Sequence, residues 1–260
     1  MSRETTSKTF TVAAVLSVVC AVIVSASAVA LRPIQAYNQA LDKKRNILAA
    51  ADLLSEDKPV EDIFAERIRS RLVEFETGNY SDAFDPDEFD QRRARKNPKL
   101  SVNIPAELDV AGFKRRAKYA TVYEVVENDQ LKTVILPVYG LGLWSTMYGF
   151  IAVDPATDKV IGLGFYEHGE TPGLGGEIDN VNWKQQWAGK NIYDEKGNVK
   201  LTVIKGRVDE NNAAASYQID GLAGATLTTN GIRSMVQYWL GPHGFGPYLE
   251  NIRKQGNLNG

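Results

Sequence analysis

Thr11 to Leu31 (TVAAVLSVVCAVIVSASAVAL) runs for 21 residues without a charged side chain. As a helix rising about 1.5 Å per residue, such a segment matches the roughly 30 Å hydrocarbon core of a bilayer. The competing reading is a cleaved signal peptide, because Ala28-Val29-Ala30 resembles a signal-peptidase site. The apolar part exceeds the roughly 7–15 residues of a signal-peptide core, which favours a retained single-pass anchor. Arg3 and Lys8 precede the span, while Arg32, Lys43, Lys44 and Arg45 follow it. A simple count puts the C-terminal side in the cytoplasm. Large domains cross largely regardless of charge, so charge bias leaves the side open.

The full 260 residues suit one domain of about 200 residues with appendages. The net charge of −2 and the lack of a basic stripe with interleaved aromatics argue against nucleic acid as a partner. The run Arg92, Arg93, Arg95, Lys96 follows the acidic stretch Asp82 to Asp90 and reads as a solvated loop. Ligand chemistry is scarce. Cys20 is the sole cysteine and lies inside the apolar run, which excludes an internal disulfide, an iron–sulfur cluster and a Cys-type zinc site. His168 and His243 are the only histidines, and no carboxylate spacing around them announces a metal site. Redox chemistry in this chain would have to come from an organic cofactor.

Three regions are predicted: a tail and anchor over 1–32, a helical region and loop over 33–100, and a β-rich domain over 101–260. Ile34, Tyr37, Leu41, Leu48 and Ala51 recur at helical spacing up to Leu54, where Ser55-Glu56-Asp57-Lys58-Pro59 breaks the pattern. Val60 to Phe75 repeats an amphipathic pattern through Ile63, Phe64, Ile68, Leu72 and Phe75, and is predicted helical. Residues 77–100 read as loop. Ala120 to Val126, Lys132 to Val138, Gly149 to Val153 and Lys159 to Tyr166 are predicted strands, with a hairpin loop at Asp154 to Asp158. Val199 to Lys205 and Ala214 to Ile219 are two more. Gly231 to Leu240 closes as a helix, with Ile232, Met235, Val236, Trp239 and Leu240 along one face. The fold class is α+β: an N-terminal membrane helix, a helical stretch, then a mostly antiparallel sheet with flanking helices.

Three glycine-rich segments are candidates for chemistry. Gly140 to Gly149 (GLGLWSTMYG) fails the dinucleotide fingerprint, since Ser145 stands at the third glycine and a strand follows. Its paired glycines beside Leu143 and Trp144 suit a flat aromatic ring against backbone, or else a strand-end bulge with a core tryptophan. His168 to Gly176 (HGETPGLGG) has three glycines able to expose successive N–H groups, or is a plain turn with a structural histidine. Asp220 to Thr229 (DGLAGATLTT) leads into the last predicted helix. Small residues leave the Thr226 hydroxyl accessible, with Thr228 or Thr229 able to cap the helix beyond. A phosphate there would meet free N–H groups and the positive end of the helix dipole.

Taken together, these segments resemble the C subunit of the Na+-translocating NADH:quinone reductases over essentially the whole chain, including a helical stretch with Asn46-Ile47-Leu48. Gly140 to Trp144 and His168-Gly-Glu-Thr-Pro-Gly-Leu are similar to that family specifically. Asp220, Gly224, Ala225 and Thr226 match its flavinylation motif, read by a dedicated flavin transferase. Ala223 departs from it, because a hydroxyl residue usually precedes the glycine. The resemblance implies an FMN-binding domain with covalent FMN held through a phosphoester at Thr226. It implies cofactor contacts from Leu143, Trp144, Glu170, Thr171, Gly173, Leu174, Lys205, Leu227 and Thr228, with no catalytic acid–base residues and no metal. It further implies an inner-membrane component whose soluble domain faces the periplasm, passing electrons from an iron–sulfur centre to the FMN of the B subunit. The B, D and E subunits would be its neighbours. The G subunit of the Rnf complex shares the flavinylation motif and is one alternative; a membrane-anchored binding module without redox function is another.

Overall fold

The computed structural model describes residues 5–128 and 130–258. The chain separates into two units, residues 1–43 and 44–260. In the first, the apolar span forms part of helix α1 (Thr6–Ala50), which is long and apolar enough to cross a membrane. Its span side chains are exposed, as a lipid-facing helix requires.

In the second unit, α1 stops at Ala50 rather than at Leu54. Asp52 turns left-handed (φ 56°), Leu53 N–H returns to Leu48 O (2.9 Å) and Asp52 N–H to Ala49 O (3.2 Å). That double closure satisfies the terminal carbonyls and ends the helix. There follow α2 (Val60–Arg67), β1 (Ile68–Glu74), α3 (Gln91–Lys96), β2 (Ser101–Asn103), β3 (Arg115–Ala117), β4 (Tyr119–Glu127), β5 (Gln130–Leu141), β6 (Thr146–Asp154) and β7 (Lys159–Glu167). A 3₁₀ turn (Gly175–Asp179) leads to α4 (Val181–Gln185). Then come β8 (Thr202–Val203), a second 3₁₀ turn (Ala215–Tyr217), β9 (Gln218–Ile219), α5 (Thr226–Trp239) and α6 (Gly246–Leu258).

The main sheet is antiparallel throughout, in the order β1-β4-β5-β6-β7. Both of its faces are covered, which explains why β4 to β6 read as nearly unbroken apolar runs. On β5, Val134, Leu136 and Val138 face a core built with Met235, Val236 and Trp239 of α5 and Tyr248 of α6. Between them Ile135 points to the opposite face, where Ile47, Ala50 and Ala51 pack with Tyr123, Phe150 and Ala152. Such alternation is the two-residue period of a strand.

Four expectations need correction. Val60–Phe75 is not one helix: from Ile68 the chain becomes edge strand β1, paired with β4 from Ile68↔Val125 to Glu74↔Tyr119. The unpaired edge of β4 outcompetes the weak helical pattern, and the region 33–100 thus contributes to the sheet. Residues 77–100 are not all loop, because Asp90 accepts N–H bonds from Arg92 and Arg93 and starts α3. Nor is Arg92 merely solvated: it lies 3.4 Å from the Tyr148 ring centroid and pairs with Glu167 at 2.8 Å. Finally, the strands expected at Val199–Lys205 and Ala214–Ile219 shrink to two residues each, and these pair in parallel.

Candidate functional site

The helix expected at Gly231 to Leu240 is α5, which begins five residues earlier than its apolar pattern predicts and does not close the chain, since α6 follows it. Gly231 hides this start, because it sits inside α5 for a packing reason. A Cβ there would lie 2.0 Å from Leu141 O, and one on Gly140 would lie 2.8 Å from Met235 Cβ. The two glycines let α5 press on the end of β5, so the glycine at 140 is spent on helix docking. Trp239 donates its indole N–H to Tyr139 O (2.7 Å) and fixes the far end of the helix.

Thr226 is thereby the first residue of α5, and it is exposed. Ala225 occupies the cap position without a side-chain bond, and the first turn holds no acidic residue. Neither Thr228 nor Thr229 caps the helix as expected. Both are buried; Thr229 accepts the Leu222 N–H (3.1 Å) and Thr228 donates to Glu170. The first backbone bond runs from Thr229 N–H to Ala225 O (2.9 Å), leaving the N–H groups of Thr226, Leu227 and Thr228 for an outside acceptor. Gly224 reaches this start at φ 71°, with Leu174 packed so close that a Cβ would meet its Cδ2 at 2.9 Å.

The loop in front is tied down at its base. Asp220 Oδ1 accepts the Val208 N–H (2.7 Å) and its Oδ2 accepts from Gln186 Nε2 (3.3 Å). Its carbonyl accepts the Trp183 indole N–H (2.9 Å). Within the matched motif, then, Asp220 faces its own protein while Ala223, Gly224 and Thr226 face outward.

Beside Thr226 the other two glycine-rich segments are joined to one another. Glu170 Oε1 accepts the Trp144 N–H (3.0 Å) and Oε2 the Leu143 N–H (3.1 Å). Thr171 Oγ1 accepts the Trp144 indole N–H (3.1 Å), and Ser145 Oγ accepts the Gly169 N–H (2.6 Å). His168 Nδ1 accepts the Glu170 N–H (3.2 Å), which leaves Nε2 to donate to Asp179 (2.8 Å). Burial works against ionisation of Glu170. Bonds from Thr228 and the N–H groups of Trp144, Leu143 and Ser145 outweigh it and hold the carboxyl below its usual range.

The result is an apolar, open platform next to a polar helix start. Trp144 is 69% exposed and so is not a core residue, and Leu143, Leu174 and Leu227 are 45–59% exposed. Gly173, at φ 76°, gives the turn its direction. Leu143, Trp144, Glu170, Thr171 and Thr228 are thus brought together, with Leu174 against Gly224. Lys205 is exposed on the bend after β8 and makes no hydrogen bond or ion pair with these segments among the described residues. Sequence reasoning misses Ser145 and Asp179 as site residues: the Ser145 hydroxyl clips the two loops together, while Asp179 holds His168, the structural histidine of the second segment, within its own loop. Nothing in their local spacing marks them. An anion-ready helix start beside exposed flat apolar side chains fits a phosphate-bearing aromatic cofactor such as FMN.

Comparison with known proteins agrees. The FMN-binding domain family matches residues 142–241. The C subunit of the Na(+)-translocating NADH-quinone reductase of Pseudomonas aeruginosa is 48% identical over 256 residues, covering 97% of this chain and 98% of that protein. Its counterpart from Yersinia pestis is 41% identical over 263 residues, covering 100% and 97%. A crystal structure of Shewanella oneidensis NqrC superposes with a TM-score of 0.75 at 33% identity, covering 82% of this chain and 97% of that one.

Proposed function

Since the chain belongs to the C-subunit family of the Na(+)-translocating NADH-quinone reductases, we propose that it carries its FMN covalently, as a phosphoester on Thr226, and relays electrons within that complex. Membership makes it one component of a multi-subunit translocase, with an FMN-binding domain and one helix able to span a membrane. The finer reading is that electrons arrive from an iron–sulfur centre and leave to the FMN of the B subunit. In it, the B, D and E subunits are neighbours in the inner membrane and the soluble domain faces the periplasm. Whole-chain identity to C-subunit proteins favours this reading over the G subunit of an Rnf complex, and the FMN-binding domain match weighs against a non-redox binding module.

One observation carries the covalent assignment. Thr226 offers an exposed hydroxyl at an uncapped helix start, where three N–H groups and the helix dipole favour a phosphate. Bound FMN supplies one-electron chemistry that no side chain here provides. The chain's own part is to orient: Leu143, Trp144, Thr171, Gly173, Leu174 and Leu227 form the platform for the ring, and Lys205 and Thr228 are the remaining expected contacts. A covalent bond also suits a carrier outside the cytoplasm, where almost no free FMN is available and a reversible site would empty by mass action.

Peptide mass spectrometry of the chain produced with a flavin transferase tests this reading. FMN mass on the peptide at Thr226 is the expected result, and modification at Thr228 or Thr229, or none, would overturn it. Co-purification with the B, D and E subunits from the native membrane checks the assembly.

A further inference from the structure

Glu170 is 5% exposed and forms no ion pair among the described residues, yet it holds three segments at once. Its oxygens accept the N–H groups of Leu143 and Trp144 and the hydroxyl of Thr228. Thr228 is itself 1% exposed and lies two residues beyond Thr226 on the same helix. Two glycines are required for this contact. A Cβ on Gly142 would sit 2.3 Å from Glu170 Oε1, and one on Gly175 would sit 2.6 Å from Thr228 Oγ1 and 2.8 Å from Glu170 Oε2. The Leu143 and Trp144 N–H groups can only donate, one to each oxygen, and the Thr228 hydroxyl donates as well, so the charged carboxylate suits the site best.

We propose that Glu170 and Thr228 are positioning residues of the flavin site. The bond from the Thr228 hydroxyl to the Glu170 carboxylate locks the first turn of α5, and with it Thr226, against the Leu143–Trp144 platform. It also keeps a fixed negative charge beside that platform. This rests on the reading that Thr226 carries FMN. A charge-assisted bond suits the task because it is short and directional, and the negative group lies at the favourable end of the helix dipole. His168, itself held by Asp179, accepts the Glu170 N–H and steadies its backbone. A fixed anion next to a flavin disfavours its reduction and so lowers its midpoint potential.

The test uses the full chain produced with a flavin transferase, comparing Thr228→Val, Thr228→Ser and Glu170→Gln with wild type. Thr228→Val is expected to take up flavin about tenfold more slowly, the scale of one lost hydrogen bond to a charged group. Thr228→Ser keeps the hydroxyl and is expected to restore the rate. In Glu170→Gln the midpoint potential of the attached flavin is expected to rise. Wild-type uptake in Thr228→Val, or an unchanged potential in Glu170→Gln, overturns the proposal. Should Thr228→Val fail to fold, the Glu170→Gln potential decides. Flavin retained covalently in Thr226→Ala would instead overturn the underlying reading.

Discussion

The two ends of helix α5 follow opposite rules. Ile232, Met235, Val236 and Trp239 are at most 2% exposed, and their half of the helix is held by packing against the sheet. The opening turn leaves Thr226 and Leu227 in solvent, with no side-chain cap and no acidic residue. On the proposed reading a flavin transferase must reach the Thr226 hydroxyl, so it cannot be buried, yet it has to stay in register with the platform beside it. The buried half supplies that rigidity from below, and Thr228 and Thr229 turn inward to hold the open end.

Removing the anchor should have the largest effect. Trp239→Ala loses a fully buried ring and its bond to Tyr139 O. It is expected to cost about 3–5 kcal/mol, visible as a lower denaturation midpoint of the purified chain. Gly231→Ala attacks the same end differently, by forcing a Cβ into the Leu141 carbonyl at 2.0 Å. Destabilisation of about 3 kcal/mol is expected from this overpacking, measured in the same unfolding experiment.

The open end should respond to pH instead. Glu170 is held below its ordinary range chiefly against burial, by the bonds from Thr228 and the Trp144, Leu143 and Ser145 N–H groups. A depressed carboxyl contributes stability that is present above the ordinary glutamate range and is lost as pH falls through the lowered value. Denaturant titrations at descending pH should therefore show an acid-side loss of stability that is smaller in Glu170→Gln. An identical acid-side slope in both proteins would contradict the lowered value.

Much of this fold is legible in the sequence, and the parts that are not share a cause. The runs Ala120–Val126, Lys132–Val138, Gly149–Val153 and Lys159–Tyr166 all lie within β4 to β7, because both faces of those strands are buried and apolar residues are nearly continuous there. β1 reads as helix because Ile63, Phe64, Ile68, Leu72 and Phe75 also fit that period; only its partner β4, about fifty residues on, decides the matter. The start of α5 stays hidden because Gly231 looks like a boundary until the close approach of Leu141 is known. At the site, the three glycine-rich segments announce themselves. The bonds joining them span 24 to 58 residues and leave no local periodicity to read.

Exposed groups on the platform should matter least for stability. Trp144→Ala, at a residue 69% exposed, is expected to change unfolding free energy by no more than about 0.5 kcal/mol. FMN should stay attached in that variant with an altered midpoint potential, and an unchanged flavin titration would remove Trp144 from the ring platform.

Thr226 is the sharpest point of contrast between the two ends, since a single hydroxyl is to carry the cofactor while adding almost nothing to the fold. In-gel flavin fluorescence after full denaturation, on wild type and Thr226→Ala produced with a flavin transferase, measures this directly. A fluorescent wild-type band and a dark Thr226→Ala band of equal protein amount is the predicted result. A dark wild-type band, or a variant as bright as wild type, would contradict the covalent assignment.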